Sequence, residues 1–63
     1  MSIGGAVLIV EDDDEVRAAL RDVLRDNGFL TFEASTGTEA LQLVNQVDID
    51  VVLLDLGLPD VSG

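Results

Sequence analysis

The stretch VLIVEDDDE, residues 7–15, decides the fold, because four apolar residues run without interruption into a cluster of acids. Such a run is typical of a strand buried on both faces of a parallel sheet. A second run, VVLL at residues 51–54, leads into Asp55. Ligands of open α/β sheets bind beyond the carboxyl ends of the strands. If the two runs are neighbouring parallel strands, their acids crowd at one edge and repel one another without a cation, which predicts a hard-metal site there.

The composition predicts one small globular domain with an aliphatic core. The 63 residues are 48% hydrophobic, and a chain of this size buries only about 60% of its unfolded surface. Thirteen acids against three arginines give a net charge of −10, which disfavours nucleic acid and anionic membranes as partners of this segment. The chain has no cysteine and no histidine, which argues against disulfides and zinc. Without a signal peptide or a long apolar run, we expect a cytoplasmic protein.

The periodicity of the chain predicts the order β-α-β-α-β with short connections. The strands are predicted at residues 6–10, 29–34 and 51–54, with the second at a sheet edge. The first helix is predicted to begin at Asp13 or Asp14 and to end at Asn27-Gly28, because glycine suits the left-handed position after a helix. The second is predicted to follow a capping box, with Thr36 as N-cap and Glu39 reaching back.

Helical spacing also predicts which faces are buried. In the first helix the inward positions are Val16, Leu20, Val23 and Leu24. Its three arginines, Arg17, Arg21 and Arg25, form a separate stripe that we expect to face solvent, with Asp13 and Arg17 as an ion pair. In the second helix the predicted inward positions are Ala40, Leu41, Val44 and Val47.

Three motifs, taken in order, resemble the receiver domain of response regulators, the CheY-like superfamily. They are VLIVEDD at 7–13 followed by Val16-Arg17, STGTEAL at 35–41, and VLLDLGLPDVSG at 52–63. The resemblance is greatest to receivers of winged-helix transcription regulators of the OmpR/PhoB type, including the potassium-transport (Kdp) branch. It implies a flavodoxin-like α/β fold with strand order 2-1-3-4-5. Residues 1–63 would then be a partial receiver that lacks strands 4–5 and helices 3–5 and ends in the β3-α3 loop.

The resemblance also implies the functional residues. Asp55 corresponds to the phosphoacceptor, which takes a phosphoryl group from a sensor histidine kinase in the intact protein and thereby controls an output such as transcription. Glu11, Asp12, Asp55 and the backbone carbonyl of Gly57 correspond to the ligands of Mg²⁺, or of Mn²⁺ in its place. Oxygen donors of this kind suit octahedral Mg²⁺, which offsets the charge of a phosphoryl group. The chain is accordingly not expected to be an enzyme.

The same resemblance shows what this chain lacks. The family's hydroxyl residue after strand four and lysine after strand five pair with the phosphoryl group, and this sequence contains no lysine. We therefore expect inefficient phosphotransfer by this chain alone. Without strand four, the third strand becomes an exposed apolar edge, which predicts a homodimer or a larger assembly.

Two alternatives to a phosphoacceptor module remain at this point. One is a non-catalytic module that binds partners or itself. The other is a phosphatase of the haloacid-dehalogenase type, a family with an aspartate pair after its first strand. Asp12-Asp13-Asp14 could imitate that pair, although Glu15 follows where the family typically continues with threonine. An EF-hand is excluded, because its sixth position counted from Asp12 is Arg17 rather than glycine.

Overall fold

The computed structural model describes residues 5–54 and confirms the predicted order of elements. The elements are β1 (Ala6–Val10), α1 (Asp14–Asp26), β2 (Leu30–Ala34), α2 (Gly37–Gln46) and β3 (Val51–Leu54). Only the start of β2 differs from the prediction by a residue, because Phe29 is part of the turn that closes α1: its N–H donates to the Leu24 carbonyl over 3.0 Å.

The three strands form a parallel sheet in the order β2-β1-β3, which is the order that the family resemblance implied. In register, Val10 of β1 pairs with Ala34 of β2 on one side and with Leu54 of β3 on the other. The centre of the sheet is the core, where Leu8 and Ile9 are 0% exposed. This position explains the unbroken apolar run in β1, since a central strand meets protein on both faces and both edges.

The helices connect strands that lie on opposite sides of β1. The chain passes from β1 to β2 through α1, and then from β2 across β1 to β3 through α2. Right-handed connections in opposite directions place the two helices on opposite faces of the sheet. The side chains of Thr31 and Glu33 hydrogen-bond to α1 and therefore mark its face of β2.

Both ends of α1 are closed by local hydrogen bonds. Asp13 is the N-cap, and its Oδ1 accepts the backbone N–H groups of Glu15 (2.9 Å) and Val16 (3.1 Å). At the other end Gly28 has a φ of 89° and donates its N–H to the Arg25 carbonyl over 3.0 Å. Together with the bond from Phe29 to the Leu24 carbonyl, this arrangement is a Schellman motif and confirms the predicted helix end.

The predicted cap of α2 is also confirmed. Thr36 is the N-cap, and its hydroxyl oxygen accepts the Glu39 N–H over 3.1 Å. The Glu39 carboxylate reaches back to Ser35, accepting its N–H over 2.8 Å and its hydroxyl over 3.0 Å. These bonds stabilise the carboxylate and lower the pKa of Glu39, with the Ser35 N–H as the largest cause.

The predicted inner faces of the helices were partly wrong. In α1, Leu20 and Leu24 are half-buried, whereas Val16 and Val23 are 44% and 59% exposed. The physical reason is that the face of α1 that meets β2 includes the arginine stripe, so Val16 and Val23, on the other side of the leucines, lie toward solvent.

In α2 the half-buried positions are Ala40, Leu43 and the C-cap Val47. Leu41 and Val44, which were predicted to face inward, are 67% and 46% exposed. The inner stripe thus follows i, i+3 and i+7 from Ala40, and Leu43 takes the place predicted for its neighbours.

Candidate functional site

The residues directly after β1, Glu11 and Asp12, form what we call the acid pair. The Glu11 N–H donates to the Ala34 carbonyl over 3.0 Å, which extends the β1–β2 ladder by one residue. Glu11 is only 4% exposed, and its Oε2 accepts the Asp13 N–H over 3.1 Å. Asp12, in contrast, is exposed to solvent. One acid of the pair is therefore held inside the fold, where a carboxylate needs polar partners, and the other projects from its surface.

Arg17 contacts this site from the first turns of α1. Its Nη1 donates to the backbone carbonyl oxygen of Glu11 over 2.8 Å, and its Nη2 donates to Asp14 Oδ1 over 2.6 Å. Its Nε donates to Glu33 Oε1 on β2 over 3.3 Å. The side chain is 17% exposed, so the prediction of a solvent-facing arginine was wrong at this position.

The partner predicted for Arg17 also differs. Arg17 pairs with Asp14 rather than with Asp13, because the Asp13 carboxylate caps the helix instead. The hydrogen bond to Asp14 is the largest of the causes that raise the pKa of Arg17. The assignment of Asp13 and Asp14 to the helix start, rather than to a metal site, agrees with these contacts.

The other two arginines continue along the edge strand. Arg21 Nη1 lies 3.7 Å from Glu33 Oε2, and Arg25 Nε donates to the Thr31 hydroxyl over 3.1 Å. The stripe therefore attaches α1 to β2, a relationship that the sequence reading missed. Helical spacing indicates that the three arginines share one face, but whether that face meets β2 or solvent depends on how α1 packs against the sheet.

The carboxyl ends of β1 and β3 lie side by side. Val10 and Leu54 are paired in the parallel register, and both strands end with this pair. The predicted ligands Glu11 and Asp12 follow Val10, whereas Asp55 and Gly57 lie outside the described residues. Within residues 5–54 no group of three or more acidic side chains is arranged to hold a metal ion.

The acid pair nevertheless has suitable chemistry for Mg²⁺. Both members supply carboxylate oxygens, which hard cations prefer, and they come from a strand end with a backbone that is hydrogen-bonded on two sides. Two protein carboxylates match the way Mg²⁺ is commonly held, with its remaining positions left to waters or a phosphate. The pair fits as part of a Mg²⁺ site and does not make up a whole one.

The apolar β3 strand is substantially exposed, as predicted. Val51, Val52 and Leu54 are 48%, 45% and 58% exposed. Among the described strands, β3 pairs with β1 alone. Its outer edge thus combines backbone hydrogen-bonding groups with apolar side chains on both faces, which favours association with another strand.

Comparison with known proteins places these features in a family. The response regulator receiver domain family matches residues 7–63. Over 57 residues, which are 90% of this chain, the transcriptional regulatory protein KdpE of Mycobacterium tuberculosis is 46% identical, and the matched part is 25% of that protein. The sporulation initiation phosphotransferase F of Bacillus subtilis is 39% identical over 90% of this chain and 46% of its own length. The cell cycle response regulator CtrA of Brucella ovis is 37% identical over 90% of this chain and 25% of its own length.

The chain thus spans less than half the length of each of these relatives. No solved structure matches it significantly. Among residues 5–54, neither helix has the length and apolar character needed to cross a bilayer. The match over nearly the whole chain, together with the parallel β2-β1-β3 sheet and the acids at the end of β1, confirms the predicted resemblance and gives no support to the phosphatase alternative. The chain belongs to the response regulator receiver domain family.

Proposed function

We propose that Asp55 accepts a phosphoryl group from a histidine of a sensor kinase. Mg²⁺ would be held by the carboxylates of Glu11, Asp12 and Asp55 and by the backbone carbonyl of Gly57, with Mn²⁺ as a substitute. In the intact regulator this event controls an output, which we propose to be transcription. Membership of the receiver family supports the proposal, as does the similarity to the transcriptional regulatory protein KdpE.

The observation that carries the proposal is the parallel pairing of Val10 with Leu54. It brings the carboxyl ends of β1 and β3 to one edge of the sheet, where open α/β folds bind ligands. Glu11 and Asp12 follow Val10 at this edge, and Asp55 is the next residue in sequence after Leu54.

The proposed reaction needs little covalent chemistry from the protein. A carboxylate oxygen of Asp55 forms a bond to phosphorus, and the bond from phosphorus to the kinase histidine nitrogen breaks. That nitrogen keeps the electron pair and takes up a proton from water. Mg²⁺, if held by the acid pair, would offset the negative charge of the phosphoryl oxygens. The carboxylates of the acid pair would hold the ion at this edge of the sheet. The product is the phosphorylated receiver itself rather than a released molecule.

Incubation with acetyl phosphate and Mg²⁺, followed by intact mass measurement, tests the acceptor. We expect slow and incomplete addition of one phosphoryl group, which is lost in Asp55→Asn. Asp48→Asn is the matched control, because it removes an acid before β3 and should leave the modification unchanged. Modification that persists in Asp55→Asn, or repeated turnover of simple phosphoesters, would contradict the proposal.

A second function, self-association, is favoured by the exposure of β3. We propose that two copies pair through the strand edge that carries Val52, which is 45% exposed. Sedimentation should show a dimer or larger species that Val52→Lys weakens. Leu41→Lys is the control, because Leu41 is 67% exposed on α2 and the change in charge is the same. A folded wild-type monomer at high concentration would overturn self-association without affecting the phosphoacceptor proposal.

The charge of the chain supports one proposal about its surroundings. With a net charge of −10, this segment is proposed to contact neither nucleic acid nor anionic membrane surfaces. We also propose a cytoplasmic location, which membership of the receiver family supports. Its proposed protein partners are the sensor kinase and a second copy of itself.

A further inference from the structure

The guanidinium of Arg17 joins three parts of the fold that meet beside the acid pair. It contacts the Glu11 carbonyl at the end of β1 (2.8 Å), Asp14 in the first turn of α1 (2.6 Å) and Glu33 on β2 (3.3 Å). The Arg17 side chain is 17% exposed, and its bonds to the Glu11 carbonyl and to Glu33 are partly buried, whereas the bond to Asp14 lies at the surface. No other arginine of the chain contacts the backbone of residues 11–13 among the contacts of the described residues.

The contact with the backbone matters more for the acid pair than the two ion pairs do. The Glu11 carbonyl belongs to the peptide that links Glu11 to Asp12, and a peptide is planar. A bond to that oxygen therefore sets the orientation of the plane from which both acidic residues depart. The guanidinium is itself a rigid fork, and its other two contacts hold it in place.

We infer that Arg17 is a positioning residue for the metal site, acting through the Glu11–Asp12 peptide. The inference rests on the proposed function, because it concerns the same Mg²⁺ site. Outer groups that orient metal ligands commonly change metal affinity by about 10- to 100-fold when they are removed. Arg17 meets the acid pair at the Glu11 backbone carbonyl, so the effect argued here passes through that carbonyl and the turn that follows it.

The sign of the effect separates positioning from simple electrostatics. Removing a positive charge near a cation site strengthens cation binding if only charge matters. Loss of positioning weakens binding instead. Arg17→Ala and Arg21→Ala change the charge equally, one turn apart on α1, and both arginines lie near Glu33. They differ in that Arg17 donates to the Glu11 carbonyl, whereas Arg21 donates to the neighbouring Asp22.

The test is a Mg²⁺ titration of the whole chain by calorimetry, with circular dichroism to verify folding. We expect the dissociation constant to rise about tenfold or more in Arg17→Ala and to stay within about twofold of the wild type in Arg21→Ala. Arg17→Lys keeps the charge but lacks the three separate donor nitrogens of the guanidinium, so it should also bind Mg²⁺ more weakly. In the absence of Mg²⁺, the amide resonance of Asp12 should shift in both Arg17 variants and not in Arg21→Ala.

The outcomes distinguish this inference from the function on which it rests. If a folded Arg17→Ala binds Mg²⁺ as tightly as the wild type or more tightly, the positioning role is overturned and the proposed function is not. Equal weakening in Arg21→Ala overturns it as well, since that result points to a general loss of α1 packing. If Arg17→Ala does not fold, Arg17→Lys decides the question by the same criteria. A wild-type chain that does not bind Mg²⁺ contradicts the proposed site, and the inference is then overturned with it.

Discussion

Asp50 and Ala6 are joined by two hydrogen bonds that begin the pairing of β3 with β1. The Ala6 N–H donates to Asp50 Oδ2 over 2.8 Å, and the Asp50 N–H donates to the Ala6 carbonyl over 2.9 Å. The carboxylate occupies the space beside Gly5, where an added Cβ would lie 2.6 Å from Asp50 Oδ2. A Cβ at position 5 would therefore force the Asp50 side chain to shift.

Gly5→Ala is expected to destabilise the chain. The new methyl group would displace the Asp50 carboxylate and break its bond to the Ala6 N–H, which costs about 1 kcal/mol. The change in the free energy of unfolding is measured by urea denaturation. Gly37→Ala is the matched control, because an added Cβ there has no neighbour within 4 Å and alanine favours a helix. Equal stability of Gly5→Ala and the wild type would show that Asp50 moves aside without cost.

Gly28→Ala is expected to destabilise the end of α1. With a φ of 89°, the residue has a left-handed backbone conformation that costs a residue with a Cβ about 1–2 kcal/mol. Thermal unfolding followed by circular dichroism should show a lower Tm. Gly28→Asn should lose less, since asparagine tolerates this conformation better. An alanine variant as stable as the asparagine variant would contradict the explanation.

Alanine variants of Asp12 and Asp13 are expected to differ in how their stability depends on Mg²⁺. Asp13→Ala removes the N-cap bonds to Glu15 and Val16 and should lower the free energy of unfolding by about 1 kcal/mol, while the rise of Tm with Mg²⁺ persists. Asp12→Ala should leave the metal-free stability nearly unchanged and abolish that rise. Melting curves with and without millimolar Mg²⁺ measure both effects. A Mg²⁺-dependent rise that survives in Asp12→Ala would remove Asp12 from the ligand set.

Glu39 is expected to contribute stability that depends on pH. Its pKa is lowered in the folded chain, first by the Ser35 N–H, so the carboxylate form is favoured by folding. The contribution is therefore fully present above the ordinary glutamate pKa of about 4.3 and is lost as the pH falls through the lower, folded value. Glu39→Gln should melt below the wild type at pH 7, and the difference should shrink toward pH 3.

Glu39→Asp separates charge from reach in the same measurement. It keeps the negative charge in the first turn of α2, but its shorter side chain cannot span the distance to Ser35. We expect it to melt between the wild type and Glu39→Gln at pH 7. A difference between the wild type and Glu39→Gln that is constant with pH would contradict the role of the ionised carboxylate.

Local patterns in the sequence were sufficient for the order of the elements and for most of their ends. The apolar run of β1, Gly28 after α1 and the capping box from Thr36 to Glu39 each encode a structure through contacts within a few residues. The family resemblance further supplied the strand order and the candidate roles of Glu11 and Asp12. The roles of all four proposed ligands remain predictions, and Asp55 and Gly57 also lie outside the described part of the chain.

Longer-range contacts were decided only in the folded chain. Asp13 lies four residues before Arg17 and Asp14 lies three before it, so either could form the ion pair. Spacing alone did not reveal that Asp13 would cap the helix and that Arg17 would pair with Asp14. Nor did it reveal that Arg17 would turn toward Glu33, because their encounter depends on how α1 lies across β2. Similarly, Leu43 rather than Leu41 faces the sheet because the rotation of α2 is set by packing.

That acids follow a buried strand can be read from the chain alone, since an unbroken apolar run leads into a charged end. That Glu11 is buried while Asp12 is exposed, and that an arginine holds the peptide between them, emerges only in the folded protein. The physical reason is that burial and orientation depend on groups brought together from α1, β1 and β2, which are distant along the chain and adjacent only after folding.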